Sequence, residues 1–433
     1  MAGLPLSRIR VLDFTLIWAG PHAVMMLGDL GAEIIRVEST NHHITNTRGF
    51  VAKPTKDLVT RLGYLGSLYA DLDPKDQPWN RHAMFNSMGR NKKAMTVDMT
   101  TTEGRDILYD LIRISDVLVE NQAVGMLARF GLGYEDVRRL NPALIYVSMP
   151  IFGLAGPYKD YLGFGVNGDA ITGVLWQRGY PGQDISSAGV GNYMDAASGV
   201  TASYAVMTAL FERDRTGKGQ FVEFCQLEHL VTQIGGPIMD AAMNQRALGS
   251  TGNRDPIRAP QGFYRCMGHD RWIAISIGPD SEWAALCRAI AQPALQHDPR
   301  FADPFLRRAN HDALDAVISD WSRTMDARRA MEHLQRHGVP AGMAAQDPDF
   351  FEDPQLAARE FFHQKHHAAT GTYRFPGHFY KMSATPPRFD TPPPLLGEHN
   401  GYVYRDLLGK DDAAIRRLVE HGHIGTAYTS EMK

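Results

Sequence analysis

Over residues 9–148 the chain alternates short apolar runs with amphipathic stretches, and that alternation restricts the fold more than any other feature. Ile9-Arg-Val-Leu-Asp-Phe14 predicts a strand, Pro21 opens a helix that runs through Leu30, and Glu33-Ile-Ile-Arg-Val-Glu38 predicts a second strand. The unit recurs. Residues 95–98 have a strand pattern, Thr100 and Glu103 have capping-box spacing, and Ile107, Leu108, Leu111 and Ile112 mark the buried face of the helix behind them. A run at 117–120, a short helix at 134–140 and a run at 144–148 complete the series. Strands separated by helices predict a mostly parallel sheet covered on both faces.

Between Thr40 and Asn91 the alternation lapses into a polar segment with Pro54, Pro74 and Pro78. It is too long for a simple connection and is expected to be an insertion near the functional site or at a subunit contact. Beyond Gln220, a strand-like 221–225 leads into a helical tract ending near Leu248. A second unit follows, with strands at 262–266 and 272–276 and helices at 281–290, 310–321 and 327–337; extended chain is expected at 375–394 and a last helix at 413–420. At 433 residues, more than one core is expected.

Met194-Asp195-Ala-Ala-Ser-Gly199 opens another helix. Val200, Tyr204, Met207, Leu210 and Phe211 recur at three- and four-residue steps and predict one buried stripe, and Gly217 supplies a left-handed stop. Asp195 therefore falls at or just before an N-terminus, where unpaired N–H groups favour an anion. Two roles fit it. It can be an N-cap, worth about 1 kcal/mol to the helix, or a reactive carboxylate with the room that Ala196, Ala197, Ser198 and Gly199 leave around it.

Cys225, Cys266 and Cys287 are odd in number and lack CxxC spacing, which argues against a disulfide framework or zinc ribbon and for a reducing compartment. No secretory leader is expected in the opening residues, and no apolar stretch approaches the ~20 residues of a membrane span. A net charge of −3 with interspersed signs gives no footprint for nucleic acid or an anionic membrane, so a soluble cytoplasmic protein is expected. Gly163-Phe-Gly165-Val-Asn-Gly168 fits GxGxxG but does not directly follow a strand, and the first strand–helix turn has only Gly20. A dinucleotide site is therefore not expected. His363, His366 and His367 have metal-ligand spacing only on a helix, and Lys365 lies among them, so a solvated face and no metal site are expected. No GxSxG elbow or P-loop lysine motif occurs.

Several separated tracts together resemble one family, the class III (CaiB/BaiF-like) CoA-transferases, which includes formyl-CoA transferase and carnitine CoA-transferase. They are Val11-Leu-Asp-Phe-Thr15 with Ala19-Gly-Pro21, Leu30-Gly-Ala-Glu-Ile-Ile-Arg-Val-Glu38, Asn91-Lys-Lys93, Asp116-Val-Leu-Val-Glu-Asn121, Arg129-Phe-Gly-Leu-Gly133, Asp195 with Gly199, Gly338-Val-Pro-Ala-Gly342 and Leu395-Leu-Gly-Glu-His-Asn400. The resemblance implies an α/β fold with a Rossmann-like large domain (1–205), a linker (206–250), a smaller α+β domain (251–345) and a returning segment (346–433), paired as an interlocked, ring-shaped homodimer. It implies that Asp195 attacks an acyl-CoA to give a mixed anhydride and then an aspartyl-CoA thioester, with acyl-CoA and a free carboxylic acid as substrates and no permanently bound cofactor. CoA would lie along Ile17, Trp18 and Ala19, with Val97, Asn121, Gln122 and Arg129 nearby, and Arg129 suits a phosphate. The helix N-terminus is expected to keep Asp195 ionised.

Two departures narrow this. Trp18 stands where formyl-CoA transferase has glutamine, which favours a bulkier or more apolar acyl group, and the glutamate that some members place near the nucleophile corresponds to Val166. Two alternatives carry less weight. An α-methylacyl-CoA racemase needs a His and an Asp, both absent at Gly163-Phe164-Gly165, and a non-catalytic subunit would not need Asp195.

Overall fold

Six runs pair side by side as one parallel sheet: β1 (Arg10–Phe14), β2 (Glu33–Glu38), β3 (Lys92–Thr96), β4 (Val117–Glu120), β5 (Ile145–Ser148) and β6 (Phe221–Glu223), in the order 3-2-1-4-5-6. The computed structural model describes residues 3–64, 66–189, 191 and 193–429. Helices relevant to the site are α1 (Ala19–Asp29), α2 (Thr102–Arg113), α3 (Gly165–Ile171), α4 (Tyr193–Thr216) and α5 (Gln226–Gln233). Because strand side chains alternate, Val11, Ile34, Val117 and Val119 pack with α1 and α4 on one face, while Leu12, Ile35 and Leu118 pack with α2 on the other. The strand order reverses between β1 and β4, which stay paired through Phe14 and Glu120, and the connections leaving their carboxyl ends part there, the usual place for a ligand crevice.

The chain divides into two compact units. The larger runs through Thr172, resumes ahead of Asp195 as far as Ile238 and returns from Ala358 onward; the smaller comprises Gly173–Gly189 and Met239–Ala357. In the smaller unit β7 (Gln261–Arg265), β8 (Trp272–Ser276) and β9 (Ala341–Ala344) form an antiparallel sheet, with its own core of Ile273, Ile275, Trp283, Leu286, Ile318 and Leu334. In the larger unit β10 (Phe362–His367) and β11 (Gly371–Pro376) pair as a hairpin. The histidine tract is thus a strand rather than a helix. Among the described residues no helix is long and apolar enough to cross a membrane, and all three cysteines are unpaired.

Three local expectations change. β3 begins at Lys92, where the apolar spacing suggested Met95, because Lys92 is a buried charge: its Nζ lies 3.0 Å from Asp13 Oδ2 and 3.0 Å from the Pro21 carbonyl. Arg36 approaches Asp13 Oδ1 at 3.1 Å. Burial alone would raise the Asp13 carboxyl, but Lys92 and Arg36 hold it below the usual carboxylate range. This cluster lies beneath the β1–α1 turn. The outer edge of β3 is closed by the 395–400 tract, with Thr96 N–H donating to Asn400 Oδ1 at 2.8 Å and His399 N–H donating to the Ala94 carbonyl at 2.8 Å.

The α2 cap is Thr101 rather than Thr100: its Oγ1 accepts the Gly104 N–H at 2.9 Å, while Glu103 bonds His421 at 2.7 Å. Thr101→Ala is expected to cost about 1 kcal/mol, measured as a lower urea midpoint at unchanged slope.

The buried face of α4 also differs. Val200, Tyr204, Met207 and Phe211 are 38, 66, 36 and 68 % exposed, and only Leu210 of the predicted stripe is buried. Ser198, Gly199, Ala202, Val206 and Ala209 form the packed face instead. The reason is the closeness of α1, since a Cβ at Gly199 would stand 2.8 Å from His22 Cβ and 2.9 Å from the Ala19 carbonyl. Gly199 therefore serves helix packing and leaves no space for a ligand.

Candidate active site

At the crevice, β1 runs into a turn that leads to α1, and Asn121 follows β4. The Asn121 carboxamide clamps that turn: Oδ1 accepts the Leu16 N–H at 2.6 Å and Nδ2 donates to the Leu16 carbonyl at 3.0 Å. The next residue, Ile17, has φ of 65°, a left-handed conformation that is costly for a β-branched side chain. Its N–H donates to Thr47 Oγ1 at 3.3 Å. The constrained turn presents the N–H of Ala19, at the start of α1, to the carboxylate of Asp195.

Asp195 is the third residue of α4 and does not cap it. A second N–H reaches its carboxylate from Gly165, the first residue of α3. Contact there is so close that a Cβ on Gly165 would lie 1.8 Å from Asp195 Oδ2. Gly168, one turn on, faces Met194, and a Cβ there would stand 2.1 Å from Sδ. Two of the three glycines in the GxGxxG match thus seat the first turn of α4.

Burial pushes the Asp195 carboxyl up to about 6, the negative charge of Asp169 adds to this, and the Ala19 and Gly165 N–H groups oppose it. Desolvation outweighs the two N–H groups, so the carboxyl lies above the usual carboxylate range. The carboxylate is still mostly ionised at neutral pH. Burial lowers the neighbouring histidines, with Arg90 adding to the effect at His22 and His43 at His82; His229 shifts the same way, and His82 falls to about 4. All three are neutral at pH 7.

A cavity of about 580 Å³ opens onto Asp195. Of the residues expected around CoA, Ile17, Trp18 and Asn121 line it. Ala19 is buried and contributes its N–H. Gln122 ties strand ends together, its Nε2 donating to the Phe14 carbonyl at 3.1 Å. Arg129 is exposed at the end of a short helix (Met126–Arg129) and lies outside the cavity wall. Val97 is buried in the apolar core against α2, so its side chain cannot touch a ligand. The 40–91 insertion, expected near the site or at a subunit contact, does supply part of the wall, but its contributing residues Phe50, His82, Met84 and Met88 were not named from the sequence, nor was Asp169. The Asp169 signal was its four-residue spacing from Gly165, which puts both on one face of α3.

A family model described as CoA-transferase family III matches residues 6–400. The chain belongs to that family. As a family III CoA-transferase it is similar to the succinyl-CoA–D-citramalate CoA-transferase of Chloroflexus aurantiacus, 30 % identical over 95 % of this chain and 96 % of that one. The human succinyl-CoA:glutarate CoA-transferase is 28 % identical over 96 % of this chain and 89 % of its own length. Among solved structures, a CaiB/BaiF family protein from Brucella suis matches with a TM-score of 0.81 at 27 % identity, covering 94 % of this chain and all of that chain. The central parallel sheet accords with that fold.

Proposed function

We propose that this CoA-transferase moves CoA from an acyl-CoA to a free carboxylic acid through covalent intermediates on Asp195. The supporting observation is a half-buried carboxylate, held by two backbone N–H groups, at the wall of a cavity large enough for a thioester. An Asp195 oxygen attacks the thioester carbonyl, the C–S bond breaks, and CoA thiolate leaves behind a mixed anhydride. The thiolate then attacks the Asp195 carbonyl and expels the donor acid, giving an aspartyl-CoA thioester. An acceptor carboxylate reverses both steps and departs as its own CoA thioester. Electrons balance without a net proton, and the Ala19 and Gly165 N–H groups are positioned to stabilise the oxyanions at Asp195.

The thioester end of CoA would run along Ile17, Trp18 and Ala19 beside Asn121, with Gln122 behind them and Arg129 available to a phosphate farther out. Trp18, Phe50, Met84 and Met88 favour an apolar or aromatic acyl group over a small dicarboxylate. The exposed stripe of Val200, Tyr204, Met207 and Phe211 suits burial against a second copy in a homodimer. Three unpaired cysteines suit the cytoplasm.

The test incubates pure protein with a panel of acyl-CoAs and free acids and follows new CoA esters and hydroxylamine-sensitive adducts on the Asp195 peptide. Branched or aromatic acids are expected to be esterified faster than oxalate, with adduct on Asp195. Solvent deuterium entering the α-carbon without CoA exchange would overturn this reading in favour of racemisation, and absence of an adduct with every donor would favour a partner subunit.

A further inference from the structure

Asp169 is fully buried, yet it is neither at the cavity wall nor among the residues expected from the sequence. Its two carboxylate oxygens accept the backbone N–H groups of Tyr193, at 3.3 Å, and Met194, at 3.2 Å. These are unpaired donors of the first turn of α4, immediately ahead of Asp195. The same face of α3 thus does two opposing things. Gly165 donates an N–H to the Asp195 carboxylate, and Asp169, four residues later, places a second negative charge at the positive end of the helix that carries it.

We propose that Asp169 is a positioning residue that fixes the first turn of α4 through the Tyr193 and Met194 N–H groups and keeps the positive end of that helix from blunting Asp195 as a nucleophile. This rests on Asp195 being the nucleophile. The benefit is kinetic. A more basic carboxylate is a better nucleophile towards a thioester, provided that it stays ionised at the working pH. The raised carboxyl meets both conditions at pH 7, and the charge of Asp169 supports the rise that burial begins. A neutral cap would hold the helix equally well but would leave the helix N-terminus free to stabilise the Asp195 anion and blunt it.

The other titratable groups around Asp195 are His22 on α1, His229 on α5, and His82 and Tyr64 on the insertion. The three histidines are held below their usual range. Because these histidines also lie on the acid side of pH 6.5, an acid limb near pH 6 is assigned to Asp195 by its movement when the charge of Asp169 is removed.

The test measures the pH dependence of single-turnover aspartyl thioester formation for the native enzyme, Asp169→Asn, Asp169→Leu and Asp169→Glu, with thermal midpoints alongside. For Asp169→Asn the acid limb is expected to move to lower pH, so that the rate at pH 5 relative to the plateau rises on the order of five-fold, while the plateau itself falls. Asp169→Leu should show the same limb displacement with a lower thermal midpoint, and Asp169→Glu should restore the native limb. If the variants lose stability but keep the native acid limb, Asp169 is a cap only and the proposal fails. Asp195→Asn run in parallel separates the two ideas: retained exchange in that variant overturns the nucleophile assignment, whereas an inactive Asp195→Asn with an unmoved limb in Asp169→Asn overturns only the role of Asp169.

Discussion

Asp195→Asn is expected to abolish CoA exchange, by roughly 10⁴-fold or more, and at the same time to make the protein more stable at neutral pH. The first effect follows from removing the carboxylate oxygen that the Ala19 and Gly165 N–H groups hold. The second follows from the direction of the carboxyl's displacement, from 3.8 up to about 6. Between those values the folded chain keeps a proton that the unfolded chain has released, so stability falls as pH rises through that window. The cost of the buried anion is complete above about pH 6 and absent below the unfolded value. Asparagine never ionises and escapes it, while its Oδ1 can still accept one of the two N–H groups. With allowance for solvent at a partly exposed group, the gain is on the order of 1–2 kcal/mol at pH 7.5 and shrinks towards pH 4. Urea midpoints of both proteins at the two pH values measure it. An Asn variant less stable than the native enzyme at pH 7.5 would sink the desolvation argument, and undiminished exchange would sink the nucleophile.

The sheet was legible because parallel strands buried on both faces appear as continuous apolar runs, and helices between them show in their 3.6-residue period. What escaped is what hydropathy does not encode. Lys92 and Lys93 belong to β3 although they are charged, since the first is matched to Asp13 beneath the sheet and the second to Glu33. The α4 face was misassigned because close helix contact selects Ser198, Gly199 and Ala202, whose small side chains carry little apolar signal, and leaves Tyr204 and Phe211 outside. The β10–β11 hairpin escaped because its histidines and charges lack strict alternation. Asp195 and the β1–α1 turn could be located from local pattern and family resemblance. For Asp169 the sequence offers only the four-residue spacing from Gly165, because the partners that give it a role lie more than twenty residues away in another helix. The carboxyl shift depends on burial within the folded chain, which a local helix-terminus argument does not contain.

Gly165→Ala is the harsher test of that geometry. An added Cβ would sit 1.8 Å from Asp195 Oδ2 and 2.9 Å from Cγ, well inside contact distance, so the carboxylate must swing away or α3 must withdraw. If the carboxylate swings, it leaves the attacking position, and displacement of a reacting group by about 1 Å costs on the order of 100-fold in rate. If α3 withdraws, Asp195 loses the Gly165 N–H and Asp169 loses its hold on Tyr193 and Met194, with a comparable loss of oxyanion stabilisation. Either way kcat should fall by about 100-fold or more, with the Kd for CoA little changed because the Ile17–Ala19 turn is untouched. The control is in the same motif. At Gly163 the nearest heavy atom to an added Cβ is the Asn167 side chain at 3.3 Å, a neighbour that can give way, so Gly163→Ala should keep most of its activity. A phosphate-cradling glycine turn would depend on backbone approach at the first glycine as well. Equal damage from the two substitutions would therefore contradict the seating of Asp195, whereas a large loss at Gly165 and tolerance at Gly163 would tie these glycines to the nucleophile rather than to a dinucleotide.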